Sequence, residues 1–286
     1  QASSTSLSPL ARAVDAMKIG INVRVMGPQS SRNTMTRILK QAEDAGVESA
    51  WIVDHIAIPP DDAEGSGGRY LDPLTSLAWM AGQTQSIKIG TSVLILPYRP
   101  KLPTAKAIAT IQELSGERLL LGVGIGWMDP EFRALGIDRH QRGRLSDETL
   151  AFLHECFDND IVTANGQSFV FKPRPARPPI YIGGSAPHAI DRALKYGDGW
   201  LPMGRLDRIA PQIRQYRERS EALLGKSGEV VMFASLPESD LDRAREMISQ
   251  YEAAGVTRVI VGRSYESAED WAPTFELISA LNSQHI

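Results

Sequence analysis

From Lys18 to the end, this chain alternates short β-branched runs with stretches of helical period, and it does so eight times. Alternation of that kind calls for parallel strands joined by helical crossovers, because a tight turn cannot connect parallel neighbours. The expected strands are 18–23 (KIGINV), 49–54 (SAWIVD), 87–96, 119–125, 180–183, the GWLPM run at 199–203, 229–234 and 257–262. After the first of them, Met35, Ile38, Leu39, Ala42 and Ala45 recur at helical spacing and Gly46 stops the helix. Further helices are expected over 71–83, 102–114, 143–157, 189–196, 208–224 and 241–254, with a last one ending near 281. In the helix at 241–254, Leu241, Ala244, Ile248 and Tyr251 mark the buried face. SFVFKPRPARPP (168–179) reads as a hairpin edge followed by a proline-rich connection. QAEDAGVESAWIVD (41–54) and QYEAAGVTRVIVG (250–262) echo one another as the same helix–glycine–strand unit. Eight such units make a single (β/α)8 TIM barrel over 17–286 the expected fold. A doubly wound open sheet is the alternative, since alternation does not by itself establish closure.

Composition narrows the class of function. With 42% hydrophobic and 23% charged residues the chain can build a full core. A net charge of −3 with no basic run argues against nucleic acid as a partner. No apolar run reaches the roughly 18–20 residues of a membrane span. The single cysteine, Cys156, cannot form an internal disulfide and fits a reducing, cytoplasmic setting. Residues 1–16 lack the apolar stretch of a secretory signal and read as a loose extension.

A parallel barrel carries its chemistry on the loops that follow its strands, and distinctive residues fall there: WIVDH (51–55), IGTSVLILPYRP (89–100), LLLGVGIGWMDPEF (119–132) and PPIYIGGSAPHAI (178–190). His55 follows Asp54 at the end of the second strand. An imidazole there suits proton transfer near neutral pH, with the Asp54 carboxylate orienting the ring or stabilising its charged form. The plainer reading is a histidine that hydrogen-bonds a loop. GVGIG (122–126) matches part of a dinucleotide fingerprint but comes after the fourth strand, with Trp127 where a third glycine belongs. Its glycines therefore read as sites of close backbone approach, and Trp127 as an apolar face for a ring or substrate. Asp129 and Glu131 read as carboxylates favoured at a helix N-terminus. GGSA (183–186) leads a glycine turn into a helix, which makes either an anion site or an ordinary cap with Ser185 capping. Arg24, Arg99 and Lys101 read as surface cations able to add positive charge. The five histidines, His55, His140, His154, His188 and His285, lack metal-ligand spacing, and no metal site is expected. No GxSxG elbow occurs, and Cys156, inside an expected helix, reads as buried and inert.

Together these segments resemble the bacterial luciferase-like family of flavin- and deazaflavin-dependent oxidoreductases, and most of all its short F420-dependent branch. The resemblance spans Lys18 to Asn282 and is most specific in Asp54-His55, TSVLILPYRP, GVGIGWMDPEF and GDGWLP (197–202). It implies that Asp54 and His55 lie beside the reactive ring of the cofactor. It implies a non-prolyl cis peptide and a bulge at Ser92–Val93 that press the chain against that ring. Gly183, Gly184, Ser185 and Ala186 match the family's phosphate-binding loop. Some F420-dependent sugar dehydrogenases carry a catalytic glutamate at the position of Trp127, so their mechanism does not transfer. The implied reaction is hydride transfer between F420 and a small organic substrate, with His55 handling the proton. An FMN-dependent monooxygenase fed by a reductase partner is the alternative, and a non-catalytic ligand-binding barrel is the alternative of another class. SLPESD (235–240) is short, so the long lid of larger monooxygenases is expected to be reduced. The resemblance further implies a homodimer through 71–83, where Leu74, Leu77, Ala78 and Ala81 are offered.

Overall fold

The computed structural model describes residues 17–283; the extension expected over 1–16 lies outside the described residues. In chain order the elements are β1 (Lys18–Asn22), α1 (Arg32–Asp44), β2 (Ser49–Ile52), α2 (Pro73–Gln83), β3 (Lys88–Ile95), α3 (Lys101–Leu114), β4 (Leu119–Gly124), α4 (Asp129–Ala134), α5 (Arg142–Asp158), β5 (Ile161–Ala164), β6 (Gln167–Val170), β7 (Ile180–Gly183), α6 (His188–Tyr196), β8 (Gly199–Leu201), α7 (Leu206–Leu224), β9 (Glu229–Ala234), α8 (Leu241–Ala253), β10 (Arg258–Val261) and α9 (Ala272–Asn282). The strands close in the order β1-β2-β3-β4-β7-β8-β9-β10 and back to β1. Each pair within that ring is parallel. Closure excludes the doubly wound open sheet.

Local chemistry starts and stops the elements where the sequence implies. Ser31 caps α1 by accepting from the Thr34 N–H, Met35, Ile38, Leu39 and Ala42 turn inward, and Gly46 (φ 71°) carries the chain out of the helix. Of the expected buried face of α8, Ala244 is fully buried and Leu241, Ile248 and Tyr251 pack half-buried against the core. The edge at 168–171 has a partner strand that periodicity passed over. β5 pairs antiparallel with β6 through Asn165 and Gly166, both at positive φ, in an Asn-Gly hairpin turn.

Strand alternation sorts the core into two layers. Side chains such as Ile21, Ile89, Leu121, Ile182, Val230 and Val259 face the helices, while Trp51, Leu120, Tyr181, Leu201, Val231 and Ile260 fill the barrel. At the amino ends of the strands the interior is closed by Arg258, only 1% exposed. Its guanidinium donates to Glu48 twice at 3.0 Å and to the Tyr181 hydroxyl at 2.7 Å, and pairs with Glu229 at 3.3 Å. Burial raises the Glu48 carboxyl, but Arg258 outweighs it and holds the pKa at about 2. That end is sealed. Of the residues expected to offer a dimer face, Leu77 and Ala81 are buried against the barrel, Leu74 is half-buried and Ala78 is exposed.

Candidate active site

The carboxyl ends of the strands are built differently. In β3 the Ser92–Val93 peptide is cis, and the β3–β4 register slips between Thr91 and Leu94. The cis peptide and bulge implied by the resemblance are therefore present. Val93 is carried toward the barrel axis, where Gly124 and Gly183 make room for it. A Cβ on Gly124 would lie 2.5 Å from Val93 Cγ2, and one on Gly183 would lie 2.6 Å from Val93 Cγ1. Gly122 is tighter still: its Cβ would come within 1.9 Å of the Thr91 carbonyl oxygen. Close backbone approach is what the glycines of GVGIG and IGG provide here. The Ser92 hydroxyl beside the bulge is shielded and unpartnered.

His55 stands at the end of β2 with its side chain 19% exposed. Its partner corrects the sequence reading. Nδ1 lies 2.9 Å from Glu131 Oε2, a carboxylate with no exposed side-chain surface, and not against Asp54. Glu131 also accepts from the Ile56 N–H (2.6 Å), the Ala57 N–H (2.9 Å) and the Tyr98 hydroxyl (2.8 Å). Burial raises this carboxyl, but hydrogen bonds from His55, the Ala57 and Ile56 N–H groups and Tyr98 outweigh it and hold the pKa at about 2. A carboxylate on Nδ1 puts the proton of a neutral ring there. Nε2, which hydrogen-bonds to none of the described residues, is then free to act as an acceptor. The edges of Tyr70 and Trp127 flank the ring, with centroids 5.1 and 6.3 Å away.

Asp54 does another job. It accepts from the Ile95 N–H at 2.8 Å and from Arg99 at 2.6 and 3.0 Å. It thereby ties the end of β2 to the chain leaving the bulged β3. Burial pushes its carboxyl up and Arg99 opposes that shift. Arg99 is correspondingly no surface cation; it is 11% exposed and also pairs with Asp72. Lys101 is exposed, its ammonium over the Phe152 ring. Asp129 is exposed and pairs with Arg133, so only Glu131 of the two expected helix-start acids turns into the site. Trp127 is 66% exposed, a large apolar face at the rim.

On the β4–β7 side, Gly184 (φ 128°) turns the chain into α6. Its carbonyl accepts from Trp200 Nε1 at 2.9 Å, so GDGWLP braces the loop. Ser185 is exposed and does not cap α6 through its side chain, which leaves its hydroxyl available. Behind this turn lies a cavity of about 460 Å³ lined by Ile125, His140, Arg142, His188, Arg192 and Lys195 among others. The lining also holds Asp147, which pairs with Arg192 at 2.6 Å, and Asp191; against Arg142, Arg192 and Lys195 they leave the recess with a small net positive charge. Cys156 is buried, and its thiol is pushed up to about 11 by burial; it takes no part in this mouth.

Two signals for this geometry were hidden in sequence. Glu131 lies 76 positions from His55, so no spacing rule links them. Tyr98 sits within LPYRP without a pattern of its own. The one local hint is that Glu131 adjoins the fully buried Phe132 at a helix start.

Bulge, braced glycine turn and buried carboxylate all lie at the carboxyl-end mouth, the end at which enzymes of this barrel architecture carry their chemistry. A family model described as luciferase-like monooxygenase matches residues 17–235. The chain belongs to this family, and it is an oxidoreductase of the flavin- and deazaflavin-using kind. It is 31% identical over 246 residues to 5,10-methylenetetrahydromethanopterin reductase of Archaeoglobus fulgidus, covering 80% of this chain and 67% of that protein. Its fold is similar to monooxygenase RslO1 from Streptomyces bottropensis, with a TM-score of 0.75, 19% identity and coverage of 94% and 99% of the two chains. It is also similar in fold to an F420-dependent secondary alcohol dehydrogenase solved with an F420–acetone adduct, with a TM-score of 0.72, 16% identity and coverage of 93% and 99%.

Proposed function

We propose that this protein is an F420-dependent oxidoreductase that moves a hydride to or from a small organic substrate, with His55 as the general acid/base. The observation that carries this reading is the His55–Glu131 pair at the mouth, next to the bulged Ser92–Val93 segment. A deazaflavin ring supplies the hydride acceptor or donor when bound. The residues present fit such a group: Val93 offers an apolar contact, Ser92 an unpartnered hydroxyl, and Trp127 a flat face. Gly183, Gly184, Ser185 and Ala186, with the basic recess behind them, suit its phosphate-bearing arm.

His55 does the proton work through Nε2. Glu131 fixes the ring's tautomer, so that accepting a proton from a substrate hydroxyl makes an imidazolium beside a buried carboxylate, and returning that proton restores the neutral ring. Asp54 acts as a positioning residue: with Arg99 it holds the loop that carries His55 against the strand that carries Val93. The connection from β9 to α8, residues 235–240, contains no lid. That favours hydride transfer over oxygen activation, because a reactive oxygen adduct needs shielding from water. The F420-dependent dehydrogenase among the structures of similar fold agrees with this choice, and RslO1, a monooxygenase, keeps oxygen activation, here with FMN and a reductase partner, as the second reading. We further propose a homodimer, the commonest soluble assembly, and a cytoplasmic setting.

Titration of the purified apoprotein with F420, FMN and reduced FMN tests the assignment. F420 is expected to bind more tightly than oxidised FMN. Micromolar binding of FMN with no measurable binding of F420 would move the protein to the monooxygenase reading.

A further inference from the structure

β1 delivers two inward side chains to the mouth that the protein leaves unpartnered. Ile19, Ile21, Val23 and Val25 all pack in the outer core between barrel and helices. The alternating positions Gly20, Asn22 and Arg24 therefore face the barrel axis. Gly20 fixes the direction, since a Cβ there would lie 2.8 Å from Nε1 of Trp51, an interior residue. The register sets Asn22 opposite Trp51, which brings Arg24 level with Val53, two residues short of His55. Arg24, expected as a surface cation, is half-buried inside the mouth.

Its Nε is sealed from solvent without an acceptor, and Oδ1 of Asn22 is sealed without a donor. Among the described residues the Arg24 guanidinium has no carboxylate partner and no hydrogen bond; only its backbone N–H is engaged, by the Tyr265 hydroxyl at 2.9 Å. Four acids of this end have other partners: Asp54 pairs with Arg99, Glu131 with His55 and Tyr98, Glu238 with Arg263, and Glu266 accepts from Gln29. The basic recess suited to a cofactor phosphate lies on the β4–β7 side, across the ring of strands from β1. A cation half-withdrawn from water attracts an anion more strongly than one on the open surface. Guanidinium also matches the planar fork of a carboxylate.

We propose that Arg24 binds the anionic group of the substrate, and that the substrate is an organic acid whose carboxylate pairs with this guanidinium while its reacting carbon lies toward His55. Asn22, about 7 Å deeper along the strand, meets a hydroxyl or amide of the same molecule. The identity of the bound anion as substrate rests on the hydride-transfer reading; the binding site itself does not.

The test uses the full-length chain, with and without F420, and two flat probes of equal size, benzoate and its uncharged analogue benzamide. Binding is read from tryptophan fluorescence at fixed ionic strength. Benzoate is expected to bind at least about tenfold more tightly than benzamide, a difference of about 1.4 kcal/mol. Arg24→Gln should bring the two within about twofold, Arg24→Lys should keep part of the preference, and F420 affinity should be unchanged in both. Equal binding of the two probes to the wild-type protein overturns the proposal without any variant having to fold. So does a preference that survives in Arg24→Gln, or a variant that loses F420 while keeping the preference. Failure of F420 to bind a wild-type protein that still prefers benzoate through Arg24 would sink the F420 reading and leave the anion site standing.

Discussion

Replacing Glu131 with glutamine tests the centre of the site through stability alone, with no need of a substrate. Four donors converge on this carboxylate: His55 Nδ1, the Ile56 and Ala57 N–H groups and the Tyr98 hydroxyl. Its pKa is held at about 2, against an ordinary 4.5. At about 1.4 kcal/mol per tenfold change in proton affinity, that depression is worth roughly 3 kcal/mol. Glutamine keeps the shape but removes the charge and turns an NH2 toward a donor, so Glu131→Gln should lose about 2–4 kcal/mol at pH 7. For a chain of this length the unfolding entropy is about 0.6 kcal/mol per kelvin, so the melting temperature should fall by about 5 °C. The pH dependence follows from the direction of the shift. A depressed carboxyl pKa stabilises the fold fully above the ordinary value and progressively less as pH falls toward the folded value. Urea unfolding at pH 7, 5, 4 and 3 should therefore show the charge-dependent part of the gap shrinking to less than half by about pH 3. The acid loss from Glu48 is common to both proteins and cancels. A gap under about 0.5 kcal/mol at pH 7, or one equally wide at pH 7 and pH 3, would refute the reasoning.

Four further outcomes are expected. His55→Ala should keep cofactor affinity while turnover falls by about 10²- to 10⁴-fold and a limb of the pH–rate profile disappears; an intact profile would assign proton transfer to solvent. Gly184→Val places a β-branched residue at φ 128° and should weaken cofactor binding by at least about tenfold in titration, whereas unchanged affinity in a folded variant would put the phosphate elsewhere. Gly122→Ala, whose Cβ would meet the Thr91 carbonyl at 1.9 Å, should cost at least about 2 kcal/mol in denaturant. Gly82→Ala in α2, with nothing within 4 Å, should instead gain about 0.5–1 kcal/mol.

The barrel was legible because its information is local. Each strand–helix unit announces itself through period, glycine stops and β-branched runs, and the interior then fills by alternation. The hairpin was legible in half: its second strand carries Phe169 and leads into Phe171, whereas β5 reveals itself only through the Asn165-Gly166 turn. The site was legible by position but not by pairing. Asp54 and His55 are neighbours in sequence and so invite pairing, yet in the loop that follows β2 their side chains reach different partners. His55 meets Glu131 from beyond β4, and Asp54 meets Arg99 from beyond β3. Strand alternation places Arg24 inside the mouth, although a lone arginine after a strand reads from sequence as a surface cation.

The two ends of the barrel use charge in opposite ways, and the difference bears on where function lies. At the amino end Arg258 is more deeply buried than any cation of the mouth described above, yet Glu48, Glu229 and Tyr181 occupy its donors. Removing one partner there would strand a buried charge, so that cluster is a stopper, rigid and self-satisfied. At the carboxyl end the pairings of Asp54 with Arg99 and of Glu131 with His55 are complete, and yet Ser92, Asn22 and Arg24 keep polar atoms out of solvent with no partner. A fold that satisfies a buried arginine at one end is under no constraint that forbids doing so at the other. The unpartnered atoms lie on β1 and β3, on either side of the strand that carries His55, where a ring against the bulge and an acid against Arg24 would both have to reach. Polar groups left open in that arrangement are the ones that the proposed ring and acid would meet.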